Sequence, residues 1–300
     1  MTGQSEFKMA GRTRDDAPPI LPSARISDED FELFSRLVYE KSGISLNLSK
    51  KEMLCSRLAR IMRSRGFRSF SNYYEVVAAD PTGEEGRALV SAISTNLTYF
   101  YREPAHFHYL ENILIQSWIA ENISGKRRRL RLWSAGCSTG EEPYSLAMSL
   151  HRCIPDLSEW DVRILAVDIS RRVIETARTG RYDREKLSTV APALKSRYLR
   201  DVQGSDGAVT VDGCLRDMVA FRELNLVQPV YPFAGSFDLI LCRNVMIYFD
   251  RAMQERLLDN LTRHLHPGGV LFVGHVEVLD GLRHAFKFIA PGIYRKPPAA

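Results

Sequence analysis

The sequence predicts an α/β fold, a mixed and mostly parallel sheet with helices on both faces, preceded by a small all-helical domain. Three observations carry that expectation. From Leu130 onward, apolar runs alternate with helix-period segments: Leu130–Ala135, Glu142–Arg152, Val162–Val167, Arg172–Thr179, Phe237–Cys242, Arg251–His264 and Val270–His275. Strand, helix, strand in repetition builds a parallel sheet. Before it, Ser27–Ser94 shows helical periodicity alone. The composition, 45% hydrophobic and 26% charged over 300 residues, supports a sizeable core and excludes wholesale disorder. That length exceeds one typical domain of about 100–200 residues, in keeping with two units.

Residues 1–24 mix Gly, Ser, charge and the Pro18-Pro19 pair without periodicity and read as a flexible leader. Residues 25–95 form the helical domain. Phe31, Phe34, Leu37 and Val38 mark its first helix, with Gly43 as the stop. A second helix opens at the Ser49-Lys50-Lys51-Glu52 capping-box pattern, buries Leu54, Leu58, Ile61 and Met62, and ends at Gly66. Shorter helices follow at Tyr73–Ala78 and, after Thr82-Gly83-Glu84-Glu85, at Arg87–Ser94. Residues 96–128 read as a linker that covers a ligand, because Thr95–Pro104 interleaves polar groups with Tyr99, Phe100 and Tyr101, unlike a mobile tether. The α/β domain spans 129–298. Within it, about 187–221 reads as a small antiparallel β insertion, a helical stretch to Tyr198 and then Ala208–Val211 and Met218–Phe221 with a tight turn at Gln203–Gly207, and the tail offers a hairpin, Phe286–Ile289 with Gly292–Lys296.

Several classes are excluded early. No apolar run reaches the roughly 18 residues a membrane span needs, and Met1–Arg14 lacks a signal-peptide core, so the expected location is the cytoplasm. Five scattered cysteines without a CxxC pair suggest neither a disulfide framework nor a zinc site. A charge of +5, from 41 basic and 36 acidic residues, is too mild to demand nucleic acid.

The chemistry is expected at the carboxyl ends of the strands. The first strand runs into Ser134-Ala135-Gly136-Cys137-Ser138-Thr139-Gly140, a small-residue loop that lets a ligand approach the backbone. The second ends at Asp168, where a carboxylate can accept both ribose hydroxyls or simply cap the next helix. Neither GxxxxGK[ST] nor a full GxGxxG is present, and Glu141-Glu142 would repel a pyrophosphate while favouring a cation. S-adenosylmethionine, which has no phosphate and carries an ammonium and a sulfonium, meets that requirement. On the third strand an apolar run ends in Arg243-Asn244, followed by Val245–Asp250 with Tyr248.

These segments, Thr95–Pro104, Trp133–Ser145, Phe237–Asp250 and Gly274-His275 with Glu277, closely resemble the CheR family of chemotaxis receptor methyltransferases, over roughly residues 26–295. The resemblance implies a Rossmann-like methyltransferase domain. It also implies transfer of a methyl group from S-adenosylmethionine to glutamate side chains on receptor helices, giving γ-glutamyl methyl esters and S-adenosylhomocysteine. Asn96, Thr98, Arg102, Glu141, Asp168, Asn225, Leu226, Arg243 and Asn244 would contact the cofactor, and Arg102 and Tyr248 would lie nearest the transferred methyl. The chain departs from the family at Val276, where a Ser is usual, at Gly136 and at Tyr101.

A carboxylate acceptor, with a solution pKa near 4.3, is already ionised at pH 7, so no general base, catalytic cysteine or metal is expected. Between Lys50 and Arg68 stand seven basic residues against Glu52 alone. With the resemblance, this face, Arg57, Arg60 and Arg63 in particular, reads as a docking surface for an acidic receptor helix, against the alternative of a solvated face. The expected partner is the cytoplasmic helical region of a chemoreceptor, with its C-terminal peptide as a further contact through the β insertion; no nucleic acid, no membrane insertion and a monomer are expected. Two other readings stand beside this one: a methyltransferase acting on RNA or a small molecule, and an S-adenosylmethionine-binding signalling module without turnover.

Overall fold

The computed structural model describes residues 25–123, 128–204, 207–233 and 235–298; the expected leader, 1–24, lies outside them. The helical domain consists of α1 (Asp28–Ser42), α2 (Lys51–Arg65), α3 (Phe70–Ala79) and α4 (Glu84–Ile93). The apolar stripes read from the sequence meet in one core of Phe31, Phe34, Leu54, Leu58, Tyr73 and Leu89. Ser27 caps α1 by accepting from Asp30 N at 2.9 Å, and Gly43 ends it at φ 73°. The Ser49 capping box does not form. Leu48–Lys50 is a 3₁₀ turn in which Ser49 Oγ donates to Asn47 Oδ1, so the hydroxyl is spent before α2 begins. The entry to α4 is capped from further back: Asp80 accepts from Glu85 N at 2.7 Å and Thr82 Oγ1 from Glu84 N at 3.1 Å.

Residues 96–128 are more than a linker. Pro104–Tyr109 (α5), a π turn at Leu110–Leu114 and Ile115–Ile123 (α6) form one interrupted helix. It buries Phe107, Leu110, Ile115 and Trp118 against the sheet. The α/β domain follows as β1 (Arg129–Ala135), α7 (Glu141–Cys153), β2 (Asp161–Asp168), α8 (Arg171–Thr179), β3 (Arg181–Asp183), α9 (Pro192–Tyr198), β4 (Leu199–Asp201), β5 (Ala208–Val211), α10 (Gly213–Arg216), β6 (Val219–Glu223), β7 (Phe237–Cys242), α11 (Arg251–His264), β8 (Leu265–Val273), β9 (Lys287–Ala290) and β10 (Ile293–Arg295). The main sheet has the order β6-β2-β1-β7-β8-β10-β9. Its first five strands are parallel, and the tail hairpin adds β10 and β9 antiparallel, as the sequence suggests.

The insertion differs from expectation. The small antiparallel sheet is β3-β5-β4, spanning 181–211, while Val219–Glu223 leaves it and pairs in parallel with β2, from Ile164↔Val219 to Asp168↔Glu223. The turn at α10, capped by Asp212 accepting from Cys214 N at 3.0 Å, reverses the chain and delivers β6 to the edge of the main sheet. There Phe221 reaches the core.

The strand order reverses between β1 and β7, and the carboxyl ends there form the crevice in which such sheets bind ligands. The helical domain seats against this edge. Tyr39 Oη donates to Asp250 Oδ2 at 2.7 Å, Ser45 N to Tyr248 O at 2.9 Å and Asn225 Nδ2 to Lys41 O at 2.8 Å. Among the described residues no helix is long and apolar enough to cross a membrane.

Candidate active site

A cleft of about 210 Å³ opens at the strand ends. Ser94–Tyr99 and Arg102 form one wall, Gly136, Ser138, Glu142, Asp168 and Ile169 the strand-end wall, Leu224–Leu226 a third side, and Arg243–Val245 with Ile247–Phe249 a fourth. Ser42 and Ile44 of the helical domain complete it. The wall at β1 requires its glycine. Gly136 has φ 88°, and a Cβ there would stand 2.4 Å from Val245 Cγ2. Asp168, at the end of β2, is buried and accepts from Ser138 N at 2.9 Å and Ser170 N at 3.0 Å. Burial raises its pKa, and those N–H bonds oppose the rise.

A buried ion network lies at the other end. Arg243, its side chain 1% exposed, reaches Glu103 Oε2 at 3.1 Å and Glu142 Oε2 at 3.2 Å, and also donates to Arg102 O. Burial pushes the Glu142 carboxyl upward, against the pull of Arg243. For Glu103 burial works in the same upward direction, but Arg243 and the His275 N–H overcome it and hold its carboxyl low. Removing the guanidinium would strand two carboxylates, a loss of about 3–5 kcal/mol for buried pairs. His106 is pushed down to about 4, first by burial and then by Arg243, so its 3.3 Å contact with Glu103 is not an ion pair at neutral pH. Glu103, His106 and His275 stand close enough to suggest a metal trio. Arg243 already occupies that carboxylate, and its fixed positive charge disfavours a cation there.

Glu277 organises the fourth wall. Its Oε2 accepts from Gly274 N at 2.5 Å and Asn244 N at 2.7 Å, and its Oε1 from Val245 N at 2.8 Å and Ile247 N at 3.3 Å. These bonds hold Asn244 in the left-handed region, φ 59°, at the head of the turn that carries Tyr248. Gly274 must be glycine, since a Cβ would lie 2.5 Å from Asn244 Nδ2.

The cleft gathers Asn96, Thr98, Arg102, Asp168, Asn225, Leu226, Arg243, Asn244 and Tyr248, all named from the sequence. Glu141 is displaced from that set. Its buried carboxylate accepts from Thr139 Oγ1 at 2.6 Å and pairs with Lys186 Nζ at 3.0 Å, while Glu142 faces the cleft. Arg57 departs from its expected role too. It is half-buried and bonded to Ala92, Ile93 and Ser94 carbonyls, whereas Arg60 and Arg63 are exposed on α2. Glu103 and Glu277 were motif residues without an assigned task; only their carboxylate chemistry beside backbone-rich loops hinted at one.

Residues 96–294 match the CheR methyltransferase, SAM binding domain, and residues 29–94 the CheR methyltransferase, all-alpha domain. The chain belongs to the CheR methyltransferase family. The chemotaxis protein methyltransferase 2 of Pseudomonas aeruginosa is 39% identical over 269 residues, covering 89% of this chain and 92% of that protein. The chemotaxis protein methyltransferases of Escherichia coli and Borreliella burgdorferi are 36% and 35% identical, each over 90% of this chain and over 91% and 95% of their own lengths. CheR proteins bind S-adenosylmethionine, and this cleft fits it. The buried carboxylate of Asp168 stands at the end of β2, where ribose hydroxyls need an acceptor, and among the described residues that line the cleft there is neither a lysine nor a glycine-rich phosphate cradle. The chain is thus an S-adenosylmethionine-dependent methyltransferase.

Proposed function

We propose that the protein esterifies glutamate side chains on the helical cytoplasmic region of chemoreceptors, releasing S-adenosylhomocysteine and serving chemotaxis adaptation. The observation that carries this reading is the convergence in one cleft of acidic walls at Asp168 and Glu142 with Arg102 and Tyr248. S-adenosylmethionine supplies an electrophilic methyl group on a sulfonium. Asp168 would hold the ribose, with Asn96, Thr98 and Leu226 lining the adenosine side; Glu142, Arg243 and Asn244 would hold the amino-acid end. Asn225 contributes wall and docking of the domains, because its amide is bonded to Lys41 O and Val227 N.

The acceptor carboxylate needs no base at pH 7, so the residues act by positioning and by excluding water. Arg102, anchored to Leu97 O at 2.8 Å, would orient the incoming carboxylate. Tyr248 would face it from the opposite wall. The exposed basic residues Arg60 and Arg63 would draw an acidic receptor helix toward the cleft. Incubation with methyl-labelled cofactor and receptor-containing membranes tests the reading. Label released as methanol by base supports it; label in nucleic acid, or cofactor binding with no labelled product, overturns it.

A further inference from the structure

Arg57 sits on α2, the helix with the basic face, yet its guanidinium turns away from solvent. Nη1 donates to Ala92 O at 3.2 Å, Ser94 O at 3.0 Å and Ile93 O, and Nη2 to Thr95 Oγ1 at 3.0 Å. These are the last carbonyls of α4 and the first residues of the strap, 94–99, that walls the cofactor cleft. The strap's far end is fixed on the α/β domain. Phe100 is fully buried, packs edge-on against Tyr182 at 5.0 Å and accepts from Thr189 Oγ1 at 2.6 Å; Tyr101 N donates to Ser145 Oγ at 2.9 Å. Only Asn96–Tyr99 span the gap between the two anchors. Within that span Asn96 O accepts from Ser138 Oγ and Leu97 O from Arg102, so its backbone is aligned once both ends are held.

We propose that Arg57 is a positioning residue for the cofactor: it fixes where the strap enters the cleft, and thereby ties the helix that carries the basic face to the wall that covers S-adenosylmethionine. Four donor contacts from one planar fork to consecutive acceptors set direction as well as position, which a lysine's single ammonium cannot reproduce.

The test uses the full chain and S-adenosylhomocysteine without receptor, so it does not depend on the methyl acceptor. Calorimetric titration compares Arg57→Gln, Arg57→Lys and, at an exposed position of α3, Glu75→Gln with the unaltered protein, and hydrogen exchange follows the amides of Asn96–Tyr99. Arg57→Gln is expected to weaken binding roughly ten-fold, on the order of one lost charge-assisted hydrogen bond. Exchange at 96–99 should quicken. Arg57→Lys should lose less, and Glu75→Gln nothing. An ordinary helix cap would lower the unfolding temperature and leave both cofactor affinity and strap exchange unchanged, and that result overturns the proposal. Should Arg57→Gln fail to fold, Arg57→Lys decides: weaker binding with faster strap exchange supports the tie, and wild-type values for both refute it.

Discussion

Replacing Glu277 with Gln tests how the fourth wall of the cleft is held. The carboxylate takes four backbone N–H groups, two on each oxygen, from Gly274, Asn244, Val245 and Ile247. A glutamine keeps one oxygen and turns an NH₂ toward two N–H donors, so two bonds are lost and two donors are left facing a donor. Bonds to charged groups are worth about 1.5–3 kcal/mol each, so about 3–6 kcal/mol is at stake before the loop relaxes. Part of that is offset, because burial raises the Glu277 carboxyl and removing its charge relieves a desolvation cost. The thermal midpoint should therefore fall only by several degrees. Catalysis should respond more strongly, since the same bonds place Asn244 and the turn to Tyr248, and a misplacement near 1 Å can cost about 100-fold. Steady-state methyl transfer to receptor membranes would read kcat/KM down by about that factor, with Glu277→Asp intermediate. Wild-type kcat/KM alongside a lowered midpoint would falsify the positioning role, and no change in either would refute the hydrogen-bond argument itself.

Three further outcomes are expected. Tyr248→Phe should lower single-turnover methyl transfer and leave S-adenosylhomocysteine affinity within two- to three-fold, on the order of a lost neutral hydrogen bond; an unchanged transfer rate sinks its proposed orienting role. His106 excludes a proton that the unfolded chain accepts below its ordinary pKa near 6.5. Its pKa in the fold is about 4, so this contribution to stability is present above pH 6.5 and lost as pH falls toward 4, with a slope of up to about 1.4 kcal/mol per pH unit. Denaturant titrations of His106→Phe should lack that slope, and identical pH profiles would contradict it. Arg60→Glu with Arg63→Glu should raise the receptor KM several-fold at low salt and flatten its salt dependence, leaving cofactor affinity intact; a KM as insensitive as before would leave the basic face without a docking role.

Much of this architecture is legible because burial follows period. Phe31, Phe34, Leu54 and Leu58 at helical spacing, and the apolar runs of β1, β2 and β7, each name the face that must leave water. The errors arise where partners are distant or rotation is fine. Val219–Glu223 reads as an insertion strand because alternation specifies a face but not a partner, and this strand's partner lies more than fifty residues back on β2. Glu141 and Glu142 are indistinguishable in sequence, yet adjacent positions on a helix differ by about 100° in direction. One carboxylate therefore turns to Lys186 of the insertion and its neighbour to the cleft. The role of Arg57 was hidden for a similar reason: a charge on an exposed-looking helix gives no sign that its carbonyl partners lie 35 to 37 residues ahead.

That last displacement changes what the helical domain does. Read as a separate docking unit, it would deliver a receptor helix and leave the cofactor to the α/β domain. Instead Ser42 and Ile44 line the cleft, Ser45 N holds the Tyr248 carbonyl, Lys41 O holds Asn225, and Arg57 holds the strap. Every one of these contacts is made by α1, α2 or the segment between them. A force on the exposed side of α2 is therefore resisted by the same few bonds that shape the cofactor wall. The surface proposed to meet an acidic helix and the wall proposed to cover the methyl donor are thus joined through the guanidinium of Arg57, and one shifts without the other only if its hydrogen bonds break.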